Sequence, residues 1–364
     1  MNNAISEWVN SLKIQNEDIT ALKRQLKLSY TIYGLMVLLS SGSFETQAWR
    51  EVRDQCSSED VNNLYESIAK HFKVTHIAIN NPIPPIQVNS QEENIIRSPI
   101  NFTPRYGDFG PNTCKSPPTR EDFDNAFWVT AKQNGIYQTW APRWTMFSRG
   151  NITEKARLLT LSSVLEAVEQ GKADRKRCAA VDLYAGIGYF AFSYLKAGMS
   201  KVLCWDLNPW SIEGLRRGAG ANKWSAAIFD ECQSLDDFGD GDAELLVFSE
   251  SNEYASERMA VMKDRLPPIR HVNCGLLPTS IGSLQTALDV LDTGMGGWIH
   301  VHEKFGVHEI DQKAEQIRQA FGQELAKRGR NVAVELESIH QVKSYAPGVM
   351  HCVLDLYIPP LEPP

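Results

Sequence analysis

The run Ala-Ala-Val-Asp-Leu-Tyr-Ala-Gly-Ile-Gly-Tyr-Phe at Ala179 to Phe190, then an apolar helix, then Lys-Val-Leu-Cys-Trp-Asp-Leu-Asn-Pro, constrains the fold more than any other stretch. A β-prone strand from Ala179 to Leu183 feeds a loop holding Gly186 and Gly188. A helix follows, and a second strand, Val202 to Trp205, ends on Asp206. This is a βαβ unit that binds a nucleoside: the glycines let the backbone approach a ligand, and the acid is placed to accept hydrogen bonds from ribose hydroxyls. The loop lacks the third glycine of a dinucleotide fingerprint. S-adenosylmethionine, with no pyrophosphate to cradle, therefore fits it better than NAD. A glycine loop can serve helix–strand packing alone, but here strand, loop, helix and acid occur in order.

The rest of the chain is read around that unit. With 364 residues, 43% of them hydrophobic, it can bury one large core and a smaller one. A net charge of −7 argues against global attraction to nucleic acid, so RNA contact requires a local basic patch. The N-terminus has no charged and apolar leader pattern and the apolar run at Leu35 to Leu39 is too short to span a bilayer, which predicts a cytosolic protein without membrane contact. Seven scattered cysteines with no Cys-x-x-Cys suit reduced thiols, not a zinc site or a disulfide framework.

Apolar residues at near-helical spacing from Glu17 to about Leu39, and again from Glu59 to Phe72, predict a helical N-terminal region over 1–80. A Pro-rich linker or loop is expected over 81–120. A small middle segment, 121–175, carries Asn134-Gly135 between two β-prone runs, a hairpin signal. It continues into a helix from Ile152 to about Gln170, with Asn151 and Glu154 resembling a capping box and a stop at Gly171. Ser148 and Arg149 then lie just ahead of a helix N-terminus, where an anionic group is favoured. From 176 to 364, strands alternate with helices and close on an antiparallel pair, which predicts an α/β, doubly wound, class I methyltransferase-like Rossmann fold.

Several motifs carry chemistry. Asp206 and Asp230 end successive strands, so their carboxylates are expected to face one crevice, the first suiting ribose and the second the adenine amino group; the bland reading makes Asp230 a loop cap. His300 and His302 share a strand face, but no third ligand is placed by the sequence, so no metal is expected and His302 is a candidate substrate contact. Asn273-Cys-Gly-Leu-Leu-Pro-Thr-Ser280 stands where amino-methyltransferases carry Asn-Pro-Pro, which weakens that reading. Basic residues gather at Arg143, Arg149, Lys155, Arg157, Lys172, Arg175, Lys176 and Arg177, a candidate phosphate-binding strip or a solvated helix end. Arg143 and Lys155 lie in sequence near Trp140, Trp144 and Phe147, a pattern suited to a base with its phosphate.

Taken together, Trp140 to Lys155, Asp182 to Phe190, Asp206-Leu-Asn-Pro209, Asn273 to Ser280 and Gly297-Trp-Ile-His-Val-His-Glu303 resemble the wybutosine-synthesising aminocarboxypropyl transferases. That family is related to the tRNA guanine N1-methyltransferases. The resemblance covers Phe127 to the C-terminus. It implies transfer of the 3-amino-3-carboxypropyl group of S-adenosylmethionine to C7 of 4-demethylwyosine, beside the anticodon of phenylalanine tRNA (tRNA-Phe), with release of methylthioadenosine. By the same resemblance Ser148 and Lys155 hold the cofactor ahead of the glycine loop, Asp206 binds ribose, and Asp230 with Glu231 lies near adenine. Arg143, Arg149 and His302 are the candidate substrate contacts. The rival readings are a tRNA methyltransferase on the same scaffold and a non-catalytic module that binds S-adenosylmethionine or RNA. No residue stands out as a general base.

Overall fold

Gly34 splits the apolar run at 30–40 and reverses the chain there. The computed structural model describes residues 1–14, 16–84, 86, 94–230 and 243–361. In it, α1 (Asn2–Ser11) and α2 (Asn16–Lys23) precede an antiparallel pair, β1 (Tyr30–Tyr33) and β2 (Met36–Ser40), with Tyr33 opposite Met36. The helix expected from Glu17 to Leu39 thus ends at Lys23. Tyr30-Thr-Ile-Tyr33 is β-branched and aromatic, and Gly34, at φ +50°, closes a two-residue turn. The helices α3 (Gln47–Asp54) and α4 (Ser58–Phe72) follow, the latter opened by a Ser57–Asp60 capping box. β3 (His76–Asn80) adds parallel to β2, and β4 (Thr103–Tyr106) antiparallel to β3. The N-terminal region is therefore a four-stranded sheet with helices, and β4 falls within the stretch expected as a linker. Pro104 is tolerated there because β4 is an edge strand. Helix α5 (Arg120–Asn125) leads to the hairpin β5 (Val129–Gln133) and β6 (Ile136–Trp140), whose tip residues Asn134 and Gly135 take φ +52° and +74°, as a type I′ turn requires.

Two units divide the chain, Met1–Ala131 with Thr139–Phe147 and Lys132–Gln138 with Ser148–Pro364. In the second, α6 (Ile152–Leu158) and α7 (Ser162–Ala173) replace the single helix expected from Ile152 to Gln170; Leu161 is extended and breaks it. Asn151 forms no side-chain cap, because Glu154 turns to Arg157 at 2.8 Å instead of reaching back. Then come β7 (Ala179–Asp182), α8 (Ala191–Ala197), β8 (Lys201–Trp205), α9 (Pro209–Ala221), β9 (Ala226–Asp230), β10 (Leu245–Ser249), α10 (Ala255–Met262), β11 (Ile269–Cys274), α11 (Leu284–Val290), β12 (Gly297–Gly306), α12 (Ile310–Lys327), β13 (Glu335–Ala346) and β14 (Val349–Ile358). They form an eight-stranded sheet in the order β13-β14-β12-β11-β7-β8-β10-β9. Strands β7 to β12 pair in parallel, and β14 joins β12 and β13 antiparallel. Apolar side chains cover both faces, as a parallel sheet demands: Leu203, Leu246, Val272 and Ile299 on one side, Val202, Leu245, Val247 and Leu215 on the other. Among the described residues no helix is long and apolar enough to cross a membrane.

Candidate active site

The glycine loop joins β7 to α8 at the carboxyl edge of the sheet, where ligands of doubly wound folds bind. Gly186 and Gly188 take φ +54° and +84°; a Cβ on Gly186 would run into the Tyr189 ring, and one on Gly188 into Phe192. The loop must therefore stay bare backbone. Gly186 N–H donates to Asp206 Oδ2 and Asn208 N–H to Asp206 Oδ1, both at 2.8 Å. Burial pushes the Asp206 carboxyl up to about 6, against the pull of these backbone donors. A carboxylate has about four acceptor positions, so Asp206 keeps capacity for a ribose hydroxyl while it holds the loop. These features fit an adenosine-bearing donor.

Ahead of the loop, Ser148 N–H donates to Tyr189 Oη at 3.0 Å. Lys155, buried on α6, donates from Nζ to Gln133 Oε1 at 2.6 Å and to Gln138 Oε1 at 2.8 Å. Gln138 in turn donates to the Gly188 carbonyl at 3.3 Å. The tip of the hairpin thus ties the lysine to the glycine loop, a role sequence reading did not give to either glutamine. Burial, and then the like charge of Lys343, lower the Lys155 ammonium to about 7.

Two buried polar atoms lie on the neighbouring strands, one of Asn273 near the end of β11 and one of His302 within β12. Asn273 Nδ2 donates to Asp182 Oδ1 at 3.1 Å, while Asn273 Oδ1 has no hydrogen-bond partner among the described residues. His302 Nδ1 lies 3.0 Å from His351 Nε2, its ring is 4.9 Å from that of Phe190, and its Nε2 has no partner among the described residues. Leaving such a group unmet costs about 1–3 kcal/mol, so each is a position where a ligand group gains by binding. Glu303 accepts from Ser280 N–H at 2.8 Å and Thr279 Oγ1 at 2.6 Å, which pins the Asn273 to Ser280 segment to β12.

The other expected residues are placed differently. Asp230 is exposed at the end of β9, and β10 lies between β9 and β8, so Asp206 and Asp230 end strands that are not neighbours. They end successive strands in the sequence but not in the sheet, because β10 pairs between β8 and β9. Beside Asp206 stands the end of β10, where Glu250 pairs with Arg258 at 2.6 Å and Asn252 Nδ2 donates to the Leu183 carbonyl at 2.8 Å. Glu231 lies outside the described residues. Arg143 belongs to the first unit, where Trp140 and Phe147 stack at 4.4 Å and Tyr33 meets both rings edge-on. Arg149 is exposed in the turn before α6. Arg157 leaves the basic strip: it is bidentate to Glu154 and to Asp355, and Asp355 also accepts from His300 Nδ1 at 2.7 Å. His300 is thus a buried structural residue. No group of three or more His, Cys, Asp or Glu suited to a metal ion occurs among the described residues.

This sheet, the glycine loop and the acid that holds it define an S-adenosylmethionine-dependent transferase of the class I methyltransferase-like fold. No protein-family model matches the chain. It is 41% identical over 328 residues to tRNA wybutosine-synthesizing protein 2 of Schizosaccharomyces pombe, covering 90% of this chain and 72% of that protein. To the Saccharomyces cerevisiae protein of the same name it is 31% identical, covering 97% and 80%. The crystal structure of P. horikoshii TYW2 in complex with MeSAdo shares the fold, with a TM-score of 0.62, 17% identity and 99% coverage of each chain. The chain belongs to the tRNA wybutosine-synthesizing protein 2 family.

Proposed function

We propose that this protein transfers the 3-amino-3-carboxypropyl group of S-adenosylmethionine to C7 of 4-demethylwyosine in phenylalanine tRNA and releases methylthioadenosine. The reaction class, aminocarboxypropyl transfer to tRNA in wybutosine synthesis, follows from the family. The observation that supports the finer reading is the chain Lys155, Gln138, Gly188, which fixes a buried lysine amine beside the glycine loop, where a carboxylate of the donor's tail would pair with it. The donor supplies an electrophilic Cγ: as C7 bonds to it, the Cγ–S electron pair returns to sulfur and the C7 proton leaves to water. Positioning is the main lever, worth up to about 7–11 kcal/mol, because the sulfonium activates three carbons, of which the methyl is the least hindered, so Cγ is attacked only if it is the carbon held in line with C7.

In this reading Asp206 orients the ribose, Ser148 and Lys155 hold the tail, and Asn273 Oδ1 and His302 Nε2 face the base. The adenine end lies against the terminus of β10, at Ser251 and Asn252, in place of Asp230. Arg143 and Arg149 serve the RNA. A cytosolic setting is supported by the thiols of Cys56, Cys114, Cys178, Cys204, Cys274 and Cys352, all unbridged. The test is incubation with hypomodified phenylalanine tRNA and either carboxyl-labelled or methyl-labelled S-adenosylmethionine. Carboxyl label enters the RNA and methylthioadenosine accumulates; methyl incorporation with adenosylhomocysteine as product overturns the reading, and binding without turnover makes the protein a non-catalytic module.

A further inference from the structure

Lys343 on β13 stands directly across from His351 on β14, and His351 directly across from Lys304 on β12. In-register neighbours on adjacent strands point to one face, so a lysine, an imidazole and a lysine form a row over three strands. Lys304 Nζ lies 3.0 Å over the Tyr345 ring, which accounts for its charge locally. Lys343 is different. Its Nζ packs on Gly150, where a side chain would run into it, and Gly150 sits in the turn between Ser148 and Lys155.

Lys343 is half-buried, and no acid among the described residues pairs with it. It bears as a like charge on buried Lys155 and on His351, whose Nδ1 is buried with no hydrogen-bond partner among the described residues. Lysine ammoniums set this way in a partly dry place repel one another, while burial, and then the charge of Lys343, lower the His351 imidazole to about 4 and keep it neutral; an anion placed among the lysines reverses the sign. The turn they surround is tied to the glycine loop through Ser148 N–H and Tyr189 Oη, so the anion belongs beside the nucleoside donor. A phosphate of the RNA backbone is better served by exposed cations such as Lys172, Arg175 and Lys176.

We propose that Lys343 completes the subsite for the donor's amino-acid tail, clamping its α-carboxylate together with Lys155 and so favouring presentation of Cγ over the methyl carbon. This rests on the aminocarboxypropyl-transfer reading. The covalent step is the one already given, with the same bonds made and broken; Lys343 is a positioning residue.

Calorimetry separates the tail from the nucleoside, because methylthioadenosine carries the same nucleoside and no tail. In the full chain, Lys343→Met weakens S-adenosylmethionine binding about tenfold or more, leaves methylthioadenosine affinity within about twofold, and Lys343→Arg recovers most of the loss. Lys343→Gln replaces the Met variant if its melting temperature falls. Equal weakening of both ligands makes Lys343 a support of the fold and overturns the proposal. So does unchanged S-adenosylmethionine affinity, including the case where only tRNA affinity and its salt slope fall, which assigns Lys343 to phosphate. Wild-type enzyme that moves no carboxyl label into tRNA defeats the parent reading, whereas the calorimetric comparison still reports on the tail.

Discussion

Arg157 donates from both terminal nitrogens to Asp355, a residue 198 positions away in the chain, at 2.5 and 3.0 Å. The pair clamps α6, and with it Lys155, to β14, the strand next to the edge of the sheet, and His300 extends it across to β12. Because both partners are largely buried, removing one strands the other. Asp355→Ala is expected to cost about 3–5 kcal/mol of stability, read by denaturant unfolding. A loss under about 1 kcal/mol means the clamp is solvated in solution.

The same carboxylate sets an acid limit. Burial raises its pKa, but the bonds from His300 and Arg157 win and hold it well below the usual carboxylate range. A folded value below the unfolded one gives stability that is complete above about pH 4 and is lost as pH falls further toward the folded value. Melting temperatures between pH 5 and 2 should therefore drop more steeply in the wild type than in Asp355→Asn, whose side chain does not titrate.

Lys155 makes donor binding pH-dependent. With its free value near 7, the amine is mostly neutral at pH 8, and a bound carboxylate restores the ammonium. Binding of S-adenosylmethionine at pH 8 should take up to about 0.9 of a proton from solution, measured by calorimetry in buffers of different ionisation enthalpy. Affinity should fall as pH rises above 7. Methylthioadenosine, without the tail, should show neither effect, and proton uptake equal for the two ligands would remove Lys155 from the tail subsite.

Asp206→Ala removes an acceptor from both Gly186 and Asn208 and, in the proposed reading, from the ribose. It should weaken S-adenosylmethionine and methylthioadenosine alike, by about 1.5–3 kcal/mol. Asn252→Ala, at the end of β10, should weaken both by about 1 kcal/mol, whereas Asp230→Ala should leave both near wild type. The reverse ranking of Asn252 and Asp230 returns the adenine to the β9 side.

Docking of tRNA by an acidic protein leaves the exposed cations as the test. Arg175→Ala with Lys176→Ala should lower the slope of log affinity against log salt by roughly 1 to 2, with donor affinity unchanged. Arg157 is excluded from this set by its two acids. An unaltered salt slope in the double mutant makes those two residues an ordinary solvated surface.

Local chemistry was enough, from residues alone, for the βαβ unit, its glycine loop, the acid after the second strand and the Asn134-Gly135 hairpin: each depends on backbone preferences within a few positions. The same locality explains the misreading of 30–40, where helical spacing of apolar residues was outweighed by Gly34 and by β2 pairing with a strand 40 residues on. What only the tertiary structure decided is which distant segments become neighbours. The insertion of β10 beside β8 displaces Asp230 from Asp206, Asp355 converts Arg157 from a candidate phosphate ligand into a clamp, and Lys343 comes to face Lys155 across an interval of nearly 190 residues. Strand order in a parallel sheet is set by long-range hydrogen bonding and burial of both faces, which no periodicity within a single segment encodes.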